Sequence, residues 1–356
     1  MATPDRFRIL SVDGGGIRGL IPALVIRDLE RRVADATGER RPLTDYFHLF
    51  AGTSTGGLIA LGMTAPDPSQ PGTPRMGGDK LVGLYTDQGP RIFAFTLQRI
   101  LSLGGWIGPK HSAKALHEVV EEEIGSAPLA DALRDVVVCA YDMTAREPHF
   151  FKRWRARESQ ERNPSMSDAA MATACAPTYF PSWEVGGQAM VDGGVFAANP
   201  TVAAVAEALK RRGDDPAELV PDELFTVSLG TGVHEVGYPQ SKVRHWGNIG
   251  WIRPRPHDPA LVRAILDGQS DAADHWAHMI LNYRPGDVVP DRGDIGRGPR
   301  YFRFQVTLPD DIPLDGAGRS ELDGLEKAGN ALIAERDKEL DEVARRLAAA
   351  GPIPAS

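Results

Sequence analysis

A single serine stands among small residues in the segment LFAGTSTGGLIALG, which runs from residue 49 to residue 62. Gly52, Ser54 and Gly56 fit the pattern G-x-S-x-G, with a strand-like apolar run before it and a helix-like apolar run after it. In that context the serine lies on a sharp strand-to-helix turn, exposed as a nucleophile, and a side chain at either glycine would crowd the turn. The alternative is a helix-capping serine that satisfies backbone N–H groups. Both interpretations are open on this motif alone.

A second glycine-rich loop lies in SVDGGGIRGL, residues 11–20, again between a strand-like run and a helix-like run. Gly14, Gly16 and Gly19 fit G-x-G-x-x-G, the dinucleotide-binding pattern. Backbone N–H groups at such a loop also suit the oxyanion of a tetrahedral acyl intermediate. The dinucleotide interpretation expects an acidic residue at the end of the second strand, where this chain has Gly52-Thr53-Ser54. A tight turn that binds nothing is the third interpretation.

A serine hydroxyl is a weak nucleophile and needs an adjacent base. Asp192, in AMVDGGVFAANP at 189–200, follows a short strand-like run, and the two glycines behind it leave its carboxylate exposed at the strand end. An aspartate that only stabilises a turn is the alternative. Among nine histidines, His234 after SLGTGV also follows a strand-like run. A triad of Ser54, Asp192 and His234 would follow the order of the α/β-hydrolases and is the rival to a Ser–Asp pair.

The composition narrows the class of protein. The chain has 356 residues, of which 42% are hydrophobic and 25% charged, and a net charge of −8. These values are typical of a globular protein, and the acidic balance argues against non-specific nucleic-acid binding. Two cysteines exclude a disulfide framework and favour a reducing compartment. With neither a signal-like N-terminal run nor a stretch of about 20 apolar residues, we expect a cytoplasmic protein that lacks a transmembrane segment.

Short apolar runs alternate with longer helical patterns along the chain. This alternation predicts an α/β fold with a mostly parallel sheet covered by helices on both faces. Predicted strands lie at 7–13, 46–52, 133–142, 148–154, 188–194 and 223–232, with an edge strand at 300–308. Predicted helices lie at 20–36, 55–64, 167–176 with Ser167 as its cap, 200–213, and in one long amphipathic tail helix at 320–351 docked on the sheet.

Taken in order, DGGGIRG (13–19), GTSTG (52–56) and DGG (192–194) resemble the motifs of the patatin-like phospholipases. Linking segments such as ATACAPTYFP (172–181) and SLGTG (228–232) are also similar to that family's. The resemblance covers about residues 6–235 and implies a three-layer α/β/α fold with C-terminal helices. We therefore expect a patatin-like catalytic core at 6–235, and in 236–356 the C-terminal part of the same domain, with loops, an edge strand and a long helix.

The resemblance also assigns roles to the motif residues. It implies that Ser54 is the nucleophile and Asp192 the general base of a Ser–Asp dyad that works through an acyl-enzyme intermediate. Backbone N–H groups of the first loop would form the oxyanion hole, with an arginine beside them. The implied oxyanion residues are Gly14, Gly15, Gly16 and Arg18, and the remaining motif positions are Gly19, Gly52, Gly56, Gly193 and Gly194.

The activity that the resemblance implies is hydrolysis of fatty-acyl esters of phospholipids and neutral lipids, of the phospholipase A type, at a membrane surface and without a metal or other cofactor. The apolar segment 91–108 is either a cap over an acyl channel or a core helix. Two alternatives stay open: a dinucleotide-binding protein, and a phospholipase effector activated by a nucleotide, as some bacterial relatives are. We expect no nucleic-acid partner, and the oligomeric state is left open.

Overall fold

The computed structural model describes residues 5–93, 108–210, 220–234, 237–252, 259–283, 300–308 and 312–354. Within these ranges, eight strands form one sheet, and their order across its main path is β5-β6-β3-β2-β1-β7-β8, with β4 also paired to β3. The strands are β1 (Phe7–Val12), β2 (Leu49–Thr53), β3 (Asp135–Asp142), β4 (Glu147–Lys152), β5 (Trp183–Val185), β6 (Gln188–Asp192), β7 (Leu224–Leu229) and β8 (Tyr301–Phe304).

The sheet is mostly parallel, as predicted. Strand β1 pairs in parallel with β2 and β7, β2 with β3, and β7 with β8. The antiparallel pairs are β3 with β4, β3 with β6, and β5 with β6. The carboxyl ends of β1, β2, β3, β7 and β8 therefore meet at one edge, where ligands bind in open α/β sheets.

Helices cover both faces of the sheet. They are α1 (Leu20–Thr37), α2 (Thr55–Thr64), α3 (Gly78–Thr86), α4 (Gly89–Ile92), α5 (Ala113–Glu123), α6 (Arg153–Glu158), α7 (Met166–Ala174), α8 (Thr201–Lys210), α9 (Gln240–Val243), α10 (Asn248–Ile252), α11 (Ala260–Asn282), α12 (Arg319–Glu335) and α13 (Asp337–Ala350).

Alternation along the strands divides the core into two layers. In β1, Leu10 and Val12 point into the larger core with α1, α2, α7, α12 and α13, whereas Ile9 points into the smaller core with α8 and the end of α11. The result is the predicted three-layer α/β/α arrangement. Residues of β8 and of the helices after it belong to these same cores.

Several predicted boundaries were wrong. The cap of α7 is Ser165, whose hydroxyl accepts from the Asp168 N–H, and not Ser167. The tail forms two helices, α12 and α13, because the backbone of Arg336 leaves the helical region at φ −101° and ψ 24°. Both pack against α1, and Arg346 of α13 also lies over the ring of Phe225 in β7, 4.2 Å from its centroid, so the tail contacts the sheet as predicted. The 23-residue helix α11, the longest in the described ranges, was not predicted.

A buried ion pair joins the start and the end of the chain at the carboxyl edge of the sheet. Asp13 directly follows β1, and its Oδ1 accepts from Nη1 of Arg303 in β8 at 2.9 Å. Ser270 of α11 donates to the other carboxylate oxygen at 3.0 Å. Each of these three side chains is buried. The first glycine loop, β8 and α11 are therefore held together by one polar cluster.

Candidate active site

Ser54 lies on a strained turn between β2 and α2. Its φ of 55° and ψ of −125° are unusual for a residue that is not glycine, and such strain persists where the surrounding structure enforces it. The Ser54 N–H donates to Oγ1 of Thr173 at 2.7 Å, and that hydroxyl donates to the Cys139 carbonyl at 2.6 Å. This arrangement fixes the backbone and leaves the Ser54 side chain pointing away from β2.

The two glycines of the serine motif permit close backbone contact. A Cβ at Gly52 would meet the carbonyl oxygen of Gly56, and a Cβ at Gly56 would meet that of Val12 in β1. Both clashes would be with backbone atoms, which cannot move aside as the end of a flexible side chain can. The sequence-based explanation for these small residues therefore agrees with the packing of the turn.

Asp192 is the last residue of β6, and the sheet places it beside Ser54. Strands β2 and β4 both pair with residues 137–139 of β3, so they lie on opposite sides of it. Strands β4 and β6 both pair with residues 140–142, so β6 lies on the side where β2 has ended. Asp192 pairs with Ala140, one position beyond the pair of Thr53 and Cys139.

The carboxylate of Asp192 is buried, so the prediction that it is exposed at the strand end was wrong, and it makes a side-chain hydrogen bond with Ser54. It also accepts the N–H of Gly194 at 2.7 Å. Burial raises the pKa of Asp192 to about 6, while these two hydrogen bonds work in the opposite direction. The side chain is therefore a stronger base than an ordinary carboxylate and is still largely ionised at neutral pH.

The first glycine loop lies against the serine. A Cβ at Gly14 would come within 3.3 Å of the Ser54 Cβ. The Gly14 N–H donates to the Ala198 carbonyl at 2.9 Å, so it holds the loop and does not point to the site as a free donor. For Gly15 and Gly16, the described part of the chain supplies no acceptor to the N–H groups. These two groups are the donors available to an oxyanion.

The first glycine loop is also held in place by a residue near the C-terminal end of the sequence. Gly16 has a φ of 58°, and its Cα lies so close to the Leu314 carbonyl that a Cβ would collide with it. The same carbonyl accepts the Ile17 N–H at 2.9 Å. On the other flank, the Thr231 hydroxyl donates to the Gly14 carbonyl at 2.8 Å and fills the space beside Gly15.

A buried aspartate anchors the segment that contains Leu314. Oδ2 of Asp315 lies 2.9 Å from Nε2 of His111 and 2.5 Å from Nζ of Lys110. Although burial opposes ionisation, the hydrogen bonds from His111 and Lys110 lower the pKa of Asp315 to about 2. The Asp315 carboxylate is therefore ionised at neutral pH.

Ser54 and Asp192 open onto an apolar cavity of about 220 Å³. Gly14, Gly15 and Gly16 lie on its wall, whereas the buried Arg18 is not part of the lining. Most of the remaining lining is aliphatic or aromatic and comes from α2, α3, α4, α5, α11 and the segment after α7: Leu58, Leu84, Tyr85, Ile92, Phe93, Leu116, Ala176, Pro177, Tyr179, Phe180, Val195, Val262, Ile265, Leu266 and Leu314. Of the predicted cap 91–108, residues 94–107 lie outside the described residues.

His234 is not brought to the pair. It lies after Val233, whose bridge to Thr307 extends beyond β7, and it is absent from the cavity lining. Within the described part of the chain, the groups that set the pKa of Asp192 are Ser54 and Gly194 and do not include His234. The arrangement that the structure presents is therefore a serine and an aspartate in direct contact.

Three residues that hold the serine turn and the first glycine loop in place were not predicted from the sequence. Thr173 and Thr231 lie in the segments ATACAPTYFP and SLGTG, which resemble family segments but carried no assigned role. Leu314 contributes a backbone carbonyl, for which the residue type gives no clue. The remaining motif glycines sit where close contact is needed: a Cβ at Gly19 would meet Thr55 and Tyr85, one at Gly193 would meet the Cys139 carbonyl, and one at Gly194 would lie 3.1 Å from the Asp192 carboxylate.

Comparison with known proteins agrees with this geometry. The family model described as patatin-like phospholipase matches residues 10–205. The chain is 30% identical to patatin-like protein 2 of Arabidopsis thaliana over 91% of this chain and 82% of the relative. It is 32% identical to patatin-like protein 2 of Oryza sativa subsp. indica, over 96% of this chain and 87% of the relative. It is 31% identical to patatin-07 of Solanum tuberosum, over 68% of this chain and 66% of the relative.

The matched residues 10–205 include the first glycine loop, the serine turn and Asp192, the three parts that meet at the cavity. The similarity to the plant proteins extends over most of the remaining chain. Fold, site and sequence similarity therefore lead to one assignment: the chain belongs to the patatin-like phospholipase family, and with it to the lipid acyl hydrolases, enzymes that cleave carboxylic esters.

Proposed function

We propose that this protein hydrolyses fatty-acyl ester bonds of membrane lipids, in the manner of a phospholipase A, with Ser54 and Asp192 as a catalytic dyad. The observation that carries the proposal is the hydrogen bond between Ser54 and the buried Asp192 carboxylate at the wall of an apolar cavity. An acyl chain fits that lining, and the ester carbonyl at its end would then lie beside the serine.

The first half of the reaction forms an acyl-enzyme. Ser54 Oγ attacks the ester carbonyl carbon while its proton passes to the carboxylate of Asp192. The carbonyl oxygen becomes an oxyanion, which the N–H groups of Gly15 and Gly16 stabilise. The bond to the leaving alcohol then breaks, and Asp192 returns the proton to the alkoxide.

The second half releases the fatty acid. A water molecule attacks the acyl-serine carbonyl, and Asp192 accepts its proton. A second tetrahedral oxyanion forms and collapses, and Asp192 returns the proton to Ser54 Oγ as the ester bond to the serine breaks. The products are a free fatty acid and the regenerated dyad. One carboxylate acts as base and acid in turn, which suits a pKa of about 6.

The nucleotide alternatives have less support. The cavity lining in the described residues contains no lysine or arginine to contact a phosphate, and its one charged side chain is Asp192. The Gly14 N–H is already used within the protein, and Asp13 is paired with Arg303.

We further propose a cytoplasmic enzyme that contacts membranes peripherally. The buried free thiols of Cys139 and Cys175 support a reducing compartment, and no helix in the described ranges is long and apolar enough to cross a bilayer.

A probe and a lipid panel test the proposal together. A fluorophosphonate should label the wild-type protein at Ser54, and the variant Ser54→Ala should neither be labelled nor release fatty acids from a panel of lipids followed by mass spectrometry. We expect a loss of at least about 10⁴-fold in kcat, as for other serine hydrolases without their nucleophile. Ser320→Ala, at an exposed position of α12, serves as the matched control. Full activity of Ser54→Ala, or labelling at another residue, would contradict the proposal.

A further inference from the structure

Helix α11 carries apolar side chains on the face that points away from the protein. Its buried residues include Ser270, Ala273, Ala277 and Leu281. Five large apolar residues are nevertheless exposed to solvent. They are Leu261 at 42%, Ile265 at 42%, Trp276 at 56%, Met279 at 36% and Ile280 at 41%, which we call the apolar stripe.

The apolar stripe lies along one side of the helix. With 3.6 residues per turn, its five side chains fall within an arc of roughly 100°, and Leu261 and Ile280 are separated by about 28 Å along the axis. Between Ile265 and Trp276 the residues of that arc are Gln269 and Ala272, so its middle holds one polar and one small apolar side chain and no charged one. An extended exposed apolar surface of this kind marks an interaction site.

One end of the apolar stripe reaches the mouth of the active-site cavity. Ile265 is exposed and also lines the cavity, and so does Val195, which is 39% exposed and follows the Asp192 motif. The neighbouring helix α10 adds Ile249 at 67% and Ile252 at 50% exposure and contacts α11. Exposed apolar residues of α10 and α11 therefore stand beside the mouth of the cavity that holds the serine.

The same helix is hydrogen-bonded to the first glycine loop and to the segment after Asp192. Ser270 donates to Asp13, and Gln269 donates to the Val195 carbonyl at 3.0 Å. The Gln269 side chain also accepts the Ala198 N–H at 3.3 Å. A surface that contacts the outer face of α11 is thus held at a fixed position relative to Ser54 and Asp192.

We propose that the apolar stripe of α11 is the membrane-docking face of this enzyme and lies in the plane of a lipid surface, with the cavity mouth at its N-terminal end. This proposal rests on the proposed function, because a water-insoluble ester reaches the serine only from such a surface. Amphipathic helices bind in this way through their apolar face, and tryptophan favours the membrane–water boundary. A second copy of the chain packed on the stripe would cover Ile265 and the cavity entrance, which makes lipid the better occupant.

The charge of the helix sets the kind of lipid. Residues 260–282 contain one arginine and three aspartates, so the helix has no basic face for anionic headgroups. Docking is therefore hydrophobic, and it takes zwitterionic or uncharged lipid. Added anionic lipid should not strengthen binding, and added salt should not weaken it.

The test uses flotation with phosphatidylcholine vesicles. The full-length Ser54→Ala protein, which leaves the lipid intact, should float with the vesicles. Its intrinsic fluorescence, which comes from six tryptophans including Trp276, should shift to the blue. Adding Trp276→Gln and Ile280→Gln, two positions that do not line the cavity, should lower the vesicle partition coefficient by tenfold or more. Adding Val220→Gln instead serves as the control, because Val220 is 47% exposed but precedes β7 at the opposite edge of the sheet.

Turnover of a short, water-soluble ester separates this proposal from the proposed function. With Ser54 present, the Trp276→Gln/Ile280→Gln protein should turn over p-nitrophenyl butyrate at the wild-type rate, which also shows that it is folded. Hydrolysis of vesicle lipid should fall with the partition coefficient. Short-ester turnover without flotation would overturn the docking face alone, and flotation without any ester turnover would overturn the proposed function alone. A wild-type dimer that becomes monomeric in the double variant, or binding only to anionic vesicles, would also overturn the proposal.

Discussion

Thr53 and Asp192 occupy successive positions along the same side of strand β3, because Thr53 pairs with Cys139 and Asp192 with Ala140. The sheet backbone itself therefore sets the distance between Ser54, which follows Thr53, and Asp192, the proposed base. Two strand ends fix the pair more rigidly than two loops would, and such rigidity is what a catalytic hydrogen bond requires.

The first prediction separates a dyad from a triad. Asp192→Asn should lose nearly all kcat toward a soluble ester because it removes the proton acceptor, whereas His234→Ala should keep most of it because the imidazole does not reach the pair. Steady-state kinetics of both variants, with circular dichroism to confirm folding, provide the measurement. A loss of several orders of magnitude in natively folded His234→Ala would establish the triad instead.

The second prediction concerns the pH dependence of the reaction. Because the base acts only when ionised and burial raises the pKa of Asp192 to about 6, kcat/KM should rise with pH through an apparent pKa near 6 and then level off. A soluble ester measured from pH 4.5 to pH 9 provides the profile. A profile that is already level at pH 4.5 would mean that the titrating base is not a carboxylate whose pKa is raised to about 6.

The third prediction is that Asp192→Asn stabilises the protein at high pH. The raised pKa of Asp192 means that the native state binds a proton more tightly than the unfolded chain between about pH 4 and pH 6. Wild-type stability is therefore lost as pH rises through this window, and the loss persists above it. Asparagine carries no charge to bury, so the variant should gain about 1–3 kcal/mol at pH 8 and little at pH 4.

Urea unfolding of both proteins at the two pH values measures this difference. Asp323→Asn, at an exposed position of α12, is the matched control and should change stability little at either pH. If Asp192→Asn lowers the free energy of unfolding by the same amount at pH 4 and at pH 8, the buried carboxylate stabilises the native state and the prediction is wrong.

The fourth prediction compares two glycines with similar backbone angles. Gly16 has φ 58° and faces the Leu314 carbonyl, whereas Gly38 has φ 74° with no atom within 4 Å of an added Cβ. Alanine at Gly38 should cost stability on the order of 1 kcal/mol because of its left-handed backbone, and alanine at Gly16 should cost more because its Cβ would also collide with the Leu314 carbonyl. Only Gly16→Ala should also move the oxyanion donors, with a loss of about 10²–10³ in kcat and a smaller change in KM. Equal kcat values for the two variants would remove the Gly16 loop from catalysis.

The fifth prediction addresses the anchor at Asp315. Asp315→Asn keeps the shape but removes the charge that attracts Lys110 and His111. The segment around Leu314 should then hold the Gly16 loop less firmly, so kcat should fall by about tenfold while KM for a short ester changes little. Because the pKa of Asp315 is about 2, its contribution to stability should be present throughout pH 5–8. Asp323→Asn again serves as the control, and an unchanged kcat in Asp315→Asn would show that the anchor is structural only.

The sequence located the strongest features of the site because glycine motifs report close backbone contact. Gly52 and Gly56 cannot be replaced without meeting backbone oxygens, and such constraints are visible as residue types. The Leu314 carbonyl was not predictable, since any residue supplies one. Helix α11 was missed although its polar residues, such as Asp267, Asp271 and Asp274, share one side of the helix. The exposure of Leu261, Trp276 and Ile280 was not predictable either, because an apolar pattern in the sequence is ordinarily assigned to the core.

The hold of Leu314 on the Gly16 loop also sets when during synthesis the enzyme becomes complete. A ribosome releases the chain from its N-terminus, so Ser54 and Asp192 emerge long before residue 314 of 356. Until then the Ile17 N–H lacks its carbonyl acceptor, and the turn at Gly16 has nothing to close against. A nascent chain would therefore carry the proposed nucleophile and base for most of translation before the proposed oxyanion loop is held in place, and we expect it to gain activity only after residue 314 has been made.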